Sequence, residues 1–202
     1  MHPGDLSAAN PDKPAYIIAE TGQIITFKQL DDVSMQISQL FRKLGLKRGD
    51  HIAFMLGNHP ALLQITLGAQ RSGLYFTPIS YRLQEDEVDY IVSDCEAKVF
   101  ITSKAQRAVA EKMNLKNCQS AFMLDGAIAG FDSLEDALDE TPAEKIVDES
   151  TGIPMLYSSG TTGRPKGVFK PLPEEVFGED AGPNLFAMLY GATDKSIYLS
   201  PA

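Results

Sequence analysis

The 202-residue sequence predicts an α/β fold with a mainly parallel sheet that helices flank on its faces. Between His51 and Leu124, short apolar segments alternate with longer segments in which apolar residues recur every three or four positions. Parallel strands need crossover connections, which are usually helical, so this alternation indicates βαβ units. A chain of this length can also bury a sizeable core.

A hairpin and a long helix are predicted near the start of the chain. Ala15–Glu20 and Gln23–Phe27 are rich in apolar residues, and the Thr-Gly pair between them favours a turn. Thr26 is suited to begin a helix, because Gln29 stands three residues later and completes a capping-box pattern. Apolar residues then recur at helical spacing until Gly45, which we expect to cap the carboxyl end of the helix.

The middle of the chain supplies the alternating units. Continuous apolar runs favour buried strands, whereas three- and four-residue periodicity favours helices. The predicted strands are His51–Leu56, Leu74–Ile79, Lys98–Thr102 and Ser120–Leu124. The predicted helices between them are Pro60–Arg71, Glu85–Ser93 and Ser103–Met113.

Two groups of residues in this part are expected to be structural. Tyr75 and Phe76 lie in a predicted strand and should pack in the core. Four carboxylates stand near one helix start, where negative charge is favoured by the helix dipole: Glu85, Asp86, Glu87 and Asp89. We therefore favour helix capping over a paired-carboxylate active site for this cluster.

The rest of the chain is less regular. Its predicted segments are a loop (Asp125–Phe131), a short acidic helix (Ser133–Asp139), a polar connection (Thr141–Thr151), a long loop (Pro171–Asn184), a helix (Leu185–Tyr190) and a strand (Ser196–Leu199). A final strand with no element after it is typical of a fragment. We therefore expect residues 1–202 to form part of a larger domain.

Charge and composition exclude several classes of function. The net charge of -9 argues against a nucleic-acid partner, since phosphate backbones are bound by clustered Lys and Arg. Cys95 and Cys118 fit neither a disulfide framework nor a zinc spacing and are predicted to be reduced thiols. His2, His51 and His59 form no spaced metal set, so no metal-ligating residue is predicted.

No targeting or membrane segment is predicted. The amino-terminal residues lack the apolar core of a signal peptide, and no apolar run approaches the ~18 residues that a membrane helix needs. We expect a cytoplasmic protein.

The segment with the most chemical information is LYSSGTTGRPKGV, residues 156–168. Its three glycines allow positive φ angles and a close approach of backbone N–H groups to a ligand. Its two serines and two threonines add hydroxyl donors, while Arg164 and Lys166 add positive charge. Because the loop carries many donors and no acid, its expected ligand is a polyphosphate.

Spacing excludes two familiar phosphate-binding motifs. A Walker A loop has glycine five residues after its first glycine, whereas Pro165 stands five residues after Gly160, and Lys166 is followed by Gly167. The dinucleotide pattern GxGxxG is absent, because two residues separate Gly160 from Gly163. The structural alternative is an ordinary surface loop of turn-forming residues.

The order of residues in this segment resembles the signature loop of the adenylate-forming superfamily. That superfamily includes acyl-CoA synthetases, aryl-CoA ligases, firefly luciferase and nonribosomal adenylation domains. Its pattern is an apolar strand followed by [ST]SG[ST]TGxPKG, and YSSGTTGRPKG agrees at every defined position. Residues 26–60, Gly68–Leu83 and Glu87–Thr102 are similar to further family segments. The chain thus resembles the N-terminal portion of an AMP-binding domain of the acyl-CoA synthetase, or fatty acid–CoA ligase, branch.

The resemblance implies a two-step reaction. Family members join ATP, with Mg²⁺, to a carboxylic acid as an acyl-adenylate, release pyrophosphate, and usually pass the acyl group to the thiol of coenzyme A. The residues that match the phosphate-binding loop are Ser158, Ser159, Gly160, Thr161, Thr162, Gly163 and Lys166. Direct phosphate contacts are expected from Thr161, Thr162 and Lys166, whereas Arg164 occupies a variable position and is expected to face solvent.

The family segments that bind adenine, ribose and Mg²⁺, and the lysine of the small C-terminal domain, have no counterpart in this sequence. No catalytic residue is therefore assigned, and the 202-residue chain is expected to be inactive alone. Two alternatives stay open: a non-catalytic nucleotide-binding module, and an adenylation domain that transfers its acyl group to a carrier protein.

Overall fold

The computed structural model describes residues 2–158, 164–174 and 176–178 of the chain. Its strands are β1 (Pro14–Ile17), β2 (Ile24–Thr26), β3 (His51–Met55), β4 (Tyr75–Ile79), β5 (Ala97–Ser103), β6 (Ser120–Leu124), β7 (Asp132–Ser133), β8 (Ile153–Pro154), β9 (Leu156–Ser158) and β10 (Lys166–Val168). Its α-helices are α1 (Pro3–Ala9), α2 (Phe27–Lys43), α3 (Ala61–Arg71), α4 (Glu85–Asp94), α5 (Arg107–Ala110) and α6 (Leu134–Asp139).

Six strands form one sheet in the order β7-β6-β5-β3-β4-β8. Every pair of neighbours in this sheet is parallel. Two antiparallel hairpins, β1-β2 and β9-β10, stand outside it. The predicted α/β fold with a mainly parallel, helix-flanked sheet is therefore confirmed.

The two faces of the sheet carry separate cores. On one face, Ile52, Phe54 and Ile101 pack with apolar residues of α2, α3 and α6. On the other face, Met55 and Phe100 pack with apolar residues of α4 and of the short α5. Side chains that alternate along β3 and β5 thus serve opposite cores, so these central strands read as continuous apolar runs.

The predicted beginning of the long helix is confirmed in detail. The Thr26 hydroxyl accepts a hydrogen bond from the Gln29 N–H at 3.2 Å, and the Gln29 side chain accepts one from the Thr26 N–H at 2.9 Å. At the other end, Leu44 is the cap and Gly45 follows it with a φ of 82°. That left-handed conformation favours glycine and ends the helix.

The predicted helix over Ser103–Met113 is wrong in extent. Strand β5 continues through Ser103, a 3₁₀ turn spans Lys104–Gln106, and α5 has only four residues. The Asp89 carboxylate of α4 accepts the N–H of Asn114 at 3.0 and 2.9 Å. That tertiary hydrogen bond holds the chain beyond α5 in a non-helical path, which local periodicity does not reveal.

Other differences are smaller. Helix α1 and strand β7 are not predicted from the sequence, whereas the short acidic helix is confirmed as α6 with Ser133 as its N-cap. Tyr75 and Phe76 are buried, as predicted. The predicted helix Leu185–Tyr190 and the strand Ser196–Leu199 lie outside the described residues, as do positions 175 and 179–184 of the Pro171–Asn184 loop. In the described part, every helix is too short or too polar to span a lipid bilayer.

Candidate functional site

The predicted phosphate loop connects the two strands of the β9-β10 hairpin. Ser158 is the last residue of β9, Lys166 is the first of β10, and the two are directly paired across the hairpin. Both side chains are exposed, and paired residues project to the same face of a hairpin with their Cβ atoms roughly 5 Å apart. The side chains of Ser158 and Lys166 thus leave the backbone side by side at the base of the connecting segment.

Two of the seven predicted phosphate-binding residues are described by the structure, Ser158 and Lys166. The other five lie outside the described residues: Ser159, Gly160, Thr161, Thr162 and Gly163. The hairpin register brings the first and last members of the predicted set together across seven intervening residues.

The hairpin leaves the sheet at its β8 edge. Strand β8 runs parallel to β4, and the Met155 N–H then donates to the Phe76 carbonyl at 2.9 Å. The Thr77 hydroxyl donates to the Met155 carbonyl at 3.0 Å. Strand β9 therefore continues toward the carboxyl end of β4, which is the edge where open α/β sheets bind ligands.

Gly167 explains why a glycine follows the lysine in this segment. A Cβ atom built at this position would lie 2.4 Å from Met155 Cε and 3.1 Å from Tyr157 Cζ. Gly167 is paired with Tyr157 across the hairpin, so the tyrosine ring occupies the space that a side chain would need. Glycine is required at this position because the Tyr157 ring approaches the backbone closely.

Tyr157 is held by helix α4. Its hydroxyl donates to Asp94 Oδ2 at 2.5 Å. Burial raises the pKa of Tyr157 well above its ordinary value, and the hydrogen bond to Asp94 raises it further. Tyr157 therefore stays protonated and serves as a hydrogen-bond donor at any ordinary pH.

Helix α4 also contacts the other end of the connecting segment. The Tyr90 hydroxyl donates to the Pro165 carbonyl at 3.1 Å. The Arg164 guanidinium stands 5.2 Å from the centre of the Tyr90 ring, within the range of a cation–π contact. Arg164 is exposed, as predicted, and it also rests on this aromatic ring.

A cavity of about 620 Å³ opens beside these contacts. It is bounded by helix α4, the segment over residues 114–117, and the pair Arg164 and Pro165. Tyr90 lines it, and so does Asp89, whose carboxylate accepts the Asn114 N–H.

Sequence reasoning missed Tyr90 and Asp94. Their four-residue spacing indicates a shared helix face, but no local signal says what that face contacts.

Arg71, in the family-like segment Gly68–Leu83, has a structural role. This side chain is fully buried, and its guanidinium contacts Asp31, Ser34 and Glu149. Its distance from solvent and its full set of partners assign it to the fold rather than to a ligand.

Comparison with known proteins identifies the family. The model of the family described as AMP-binding enzyme matches residues 5–171. The chain belongs to the AMP-binding enzyme family. The fatty acid–[acyl-carrier-protein] ligase ScoC of Streptomyces coeruleorubidus is 30% identical to it over 158 residues, covering 78% of this chain and 30% of that protein. The long-chain-fatty-acid–CoA ligase FadD13 of Mycobacterium tuberculosis is 28% identical over 165 residues, covering 80% of this chain and 32% of that protein.

A solved structure agrees with the family assignment. The N-terminal domain of FACL13 from Mycobacterium tuberculosis, determined with an inhibitor bound, superposes with a TM-score of 0.71 at 25% identity. The match covers 82% of this chain and 42% of that one. The sheet and its helices therefore correspond to the N-terminal domain of an acyl-CoA synthetase fold. The chain spans about a third of the length of the two curated relatives, 30% and 32%.

Proposed function

We propose that this chain supplies the ATP phosphate-binding part of an enzyme that activates a carboxylic acid. In the first step, a carboxylate oxygen attacks the α-phosphorus of ATP, the bond from that phosphorus to the β-phosphate oxygen breaks, and pyrophosphate leaves with the electron pair. In the second, a thiolate attacks the acyl carbon and AMP leaves. Donors on the β- and γ-phosphates favour the first step, because negative charge develops on the leaving group.

The observation that carries the proposal is the pairing of Ser158 with Lys166. The pairing places one hydroxyl and one ammonium group on an exposed face at the ends of a hydroxyl- and glycine-rich segment. In this proposal the phosphates are bound by seven residues: Ser158, Ser159, Gly160, Thr161, Thr162, Gly163 and Lys166. Among the described residues, no group of three or more His, Cys, Asp or Glu side chains is placed to hold a metal ion. No step is therefore assigned to the Mg²⁺ that accompanies ATP.

We propose a fatty acid as the acid and coenzyme A as the thiol. The name of the long-chain-fatty-acid–CoA ligase FadD13, to which this chain is 28% identical, supports this choice. The second candidate acceptor is a carrier-protein thiol, and the acyl-carrier-protein ligase ScoC favours it specifically. A non-catalytic nucleotide-binding module is the remaining alternative.

The test is acid-dependent exchange of pyrophosphate into ATP. It is run with short, long and aromatic carboxylates, on the 202-residue chain and on the complete open reading frame that contains it. We expect exchange with long-chain acids in the complete protein and none in the 202-residue chain. Added coenzyme A should then yield the thioester. Exchange followed by transfer only to a carrier protein would select the second acceptor. ATP binding without exchange for any of the acids would favour the non-catalytic nucleotide-binding module.

A further inference from the structure

Helix α4 faces both ends of the segment that connects β9 to β10. Tyr90 and Asp94 are four residues apart on this helix, so their side chains lie on the same face, one turn from each other. Tyr90 contacts the end that leads into β10, and Asp94 contacts the end that leaves β9. The first contact is made to Pro165, the residue before Lys166, and the second acts through Tyr157 on Gly167, the residue after it.

The contact through Asp94 reaches Lys166 by way of the tyrosine ring. Asp94 fixes the Tyr157 hydroxyl at 2.5 Å, and the ring of Tyr157 lies against Gly167. Because Gly167 has no side chain, the ring supports the backbone of β10 directly, one residue beyond Lys166. A shift of the Tyr157 ring would therefore move the strand that begins with the lysine.

The contact through Tyr90 acts on the peptide bond that precedes the lysine. The Pro165 carbonyl, the lysine nitrogen and the Lys166 Cα atom belong to one planar peptide unit. A hydrogen bond from the Tyr90 hydroxyl to that carbonyl, at 3.1 Å, therefore fixes the direction in which the chain enters Lys166. The Tyr90 ring restrains the preceding residue as well, through its contact with the Arg164 guanidinium.

Helix α4 is itself firmly placed. Val88, Ile91 and Val92 are buried in the core on its face of the sheet. The Glu87 carboxylate accepts the Gln84 N–H at 3.0 Å and closes its first turn. Because the helix is fixed to the core, side chains that project from it can hold a surface hairpin in a defined position.

We propose that Tyr90 and Asp94 are positioning residues that place Lys166 for contact with the phosphates of ATP. The inference rests on the proposed function, since it gives Lys166 its role. Neither residue need touch the nucleotide. The pair acts on the lysine through the Pro165 carbonyl and through the Tyr157 ring.

The test compares two Tyr→Phe variants in the complete protein. Tyr90→Phe removes the hydrogen bond to the Pro165 carbonyl and keeps the ring beneath Arg164. Tyr16→Phe is the matched control. Tyr16 lies in β1, away from the β9-β10 hairpin, and its hydroxyl also donates to a proline carbonyl, that of Pro60, at 2.7 Å. We expect Tyr90→Phe to weaken ATP binding, measured by calorimetry, and to raise KM for ATP by roughly two- to tenfold. KM for the acid should not change, and Tyr16→Phe should change neither constant.

A second background separates positioning from general destabilisation. If Tyr90 acts through Lys166, then Tyr90→Phe should have little further effect on ATP affinity in a Lys166→Ala protein, because coupled residues are not additive. Asp94→Ala, which removes the acceptor of the Tyr157 hydrogen bond, should behave in the same way. Equal losses in both backgrounds, or an unchanged ATP affinity in the single variants, would overturn the inference.

The two proposals fail in different ways. ATP binding without acid-dependent exchange defeats the proposed reaction, while the calorimetric comparison still decides the role of Tyr90. Exchange with an unaltered ATP affinity in Tyr90→Phe defeats only the positioning role. No ATP binding by the unaltered complete protein defeats both.

Discussion

At the scale of single residues, Lys166 carries the charge that the proposed reaction needs. It is exposed and paired with Ser158 across the hairpin, and its ammonium group can donate up to three hydrogen bonds. A hydrogen bond to a charged group contributes about 1.5–3 kcal/mol, or roughly a 10- to 150-fold change in affinity. We predict that Lys166→Ala in the complete protein raises KM for ATP by that factor, as measured by pyrophosphate exchange.

The control for this prediction is Lys170→Ala. Lys170 is an exposed lysine two residues after β10, and its backbone carbonyl accepts a hydrogen bond from the Tyr75 hydroxyl at 2.7 Å. Lys170→Ala should leave KM for ATP unchanged, and Lys166→Arg should retain part of the affinity because it keeps the charge. Equal effects of the two alanine variants would remove Lys166 from the site.

His51 supplies a second prediction at this scale. Its ring stacks on Tyr75 with centroids 4.6 Å apart, and its Nδ1 atom is buried without a hydrogen-bond partner among the described residues. Burial lowers the pKa of His51, and the carboxylates of Glu96 and Asp50 oppose that shift without reversing it. The unfolded chain therefore binds more protons at this site just below pH 6.5, where an unperturbed histidine titrates.

The sign follows from that proton balance. Stability from His51 is fully present above about pH 6.5 and is lost as the pH falls toward the lower pKa of the folded state. We predict that the free energy of unfolding, measured in urea, falls less between pH 7.5 and 5 in His51→Phe than in the unaltered protein. Parallel curves for the two proteins would contradict the assigned pKa shift.

At the scale of elements, close packing of helix α3 against helix α2 depends on Gly68. A Cβ atom built there would lie 2.5 Å from Ile37 Cγ2 and 2.8 Å from Ile37 Cβ. We predict that Gly68→Ala destabilises the fold by about 1–3 kcal/mol, because overpacking forces side chains or backbone to shift. Gly57→Ala is the control, since a Cβ atom built at Gly57 meets nothing within 4 Å. Urea denaturation of both variants decides the matter, and equal midpoints would contradict the packing.

The elements also show where sequence reasoning succeeds. Helix α2 was predictable because its signals are local: a capping box at Thr26, an apolar period, and Gly45 after the end. The extent of the helix after β5 was not, because Asp89, a residue 25 positions from Asn114, accepts the Asn114 N–H and holds the chain beyond α5 in a non-helical path. Strands of two or three residues, such as β7 and β8, exist through pairing with neighbours and leave no period of their own.

The candidate site also has a part that local sequence predicts and a part that depends on distant contacts. The residue order around Lys166 indicates a phosphate-binding segment, and the hairpin that pairs Ser158 with Lys166 is consistent with it. The support from α4 was not predictable, since Tyr90 and Asp94 contact residues 75 and 63 positions away. A local pattern can identify chemistry, whereas the groups that orient it are brought together by the fold.

At the scale of the whole molecule, one buried ionic cluster connects distant parts of the chain. The Arg71 guanidinium at the end of α3 bonds Asp31 of α2 at 3.1 Å and Glu149 of the connection to β8 at 2.8 Å. Glu149 also contacts His2 at 3.1 Å, next to α1, and Phe177 lies 5.8 Å from the guanidinium carbon. Arg71, which lies in the family-like segment Gly68–Leu83, therefore joins α2, α3 and the connection to β8, and Glu149 extends the cluster to His2 beside α1.

Arg71→Met tests how far the assembly depends on that cluster. The variant leaves two nearly buried carboxylates without their cation, and breaking a buried pair in this way costs about 3–5 kcal/mol. We predict a loss of that size in the free energy of unfolding, measured by urea denaturation. Arg107→Met is the control, because Arg107 pairs with Glu111 on an exposed helix surface, where such pairs contribute about 0.5 kcal/mol or less. Should Arg71→Met cost no more than Arg107→Met, the buried cluster would not be what joins these elements, and apolar packing on the two sheet faces would carry the assembly alone.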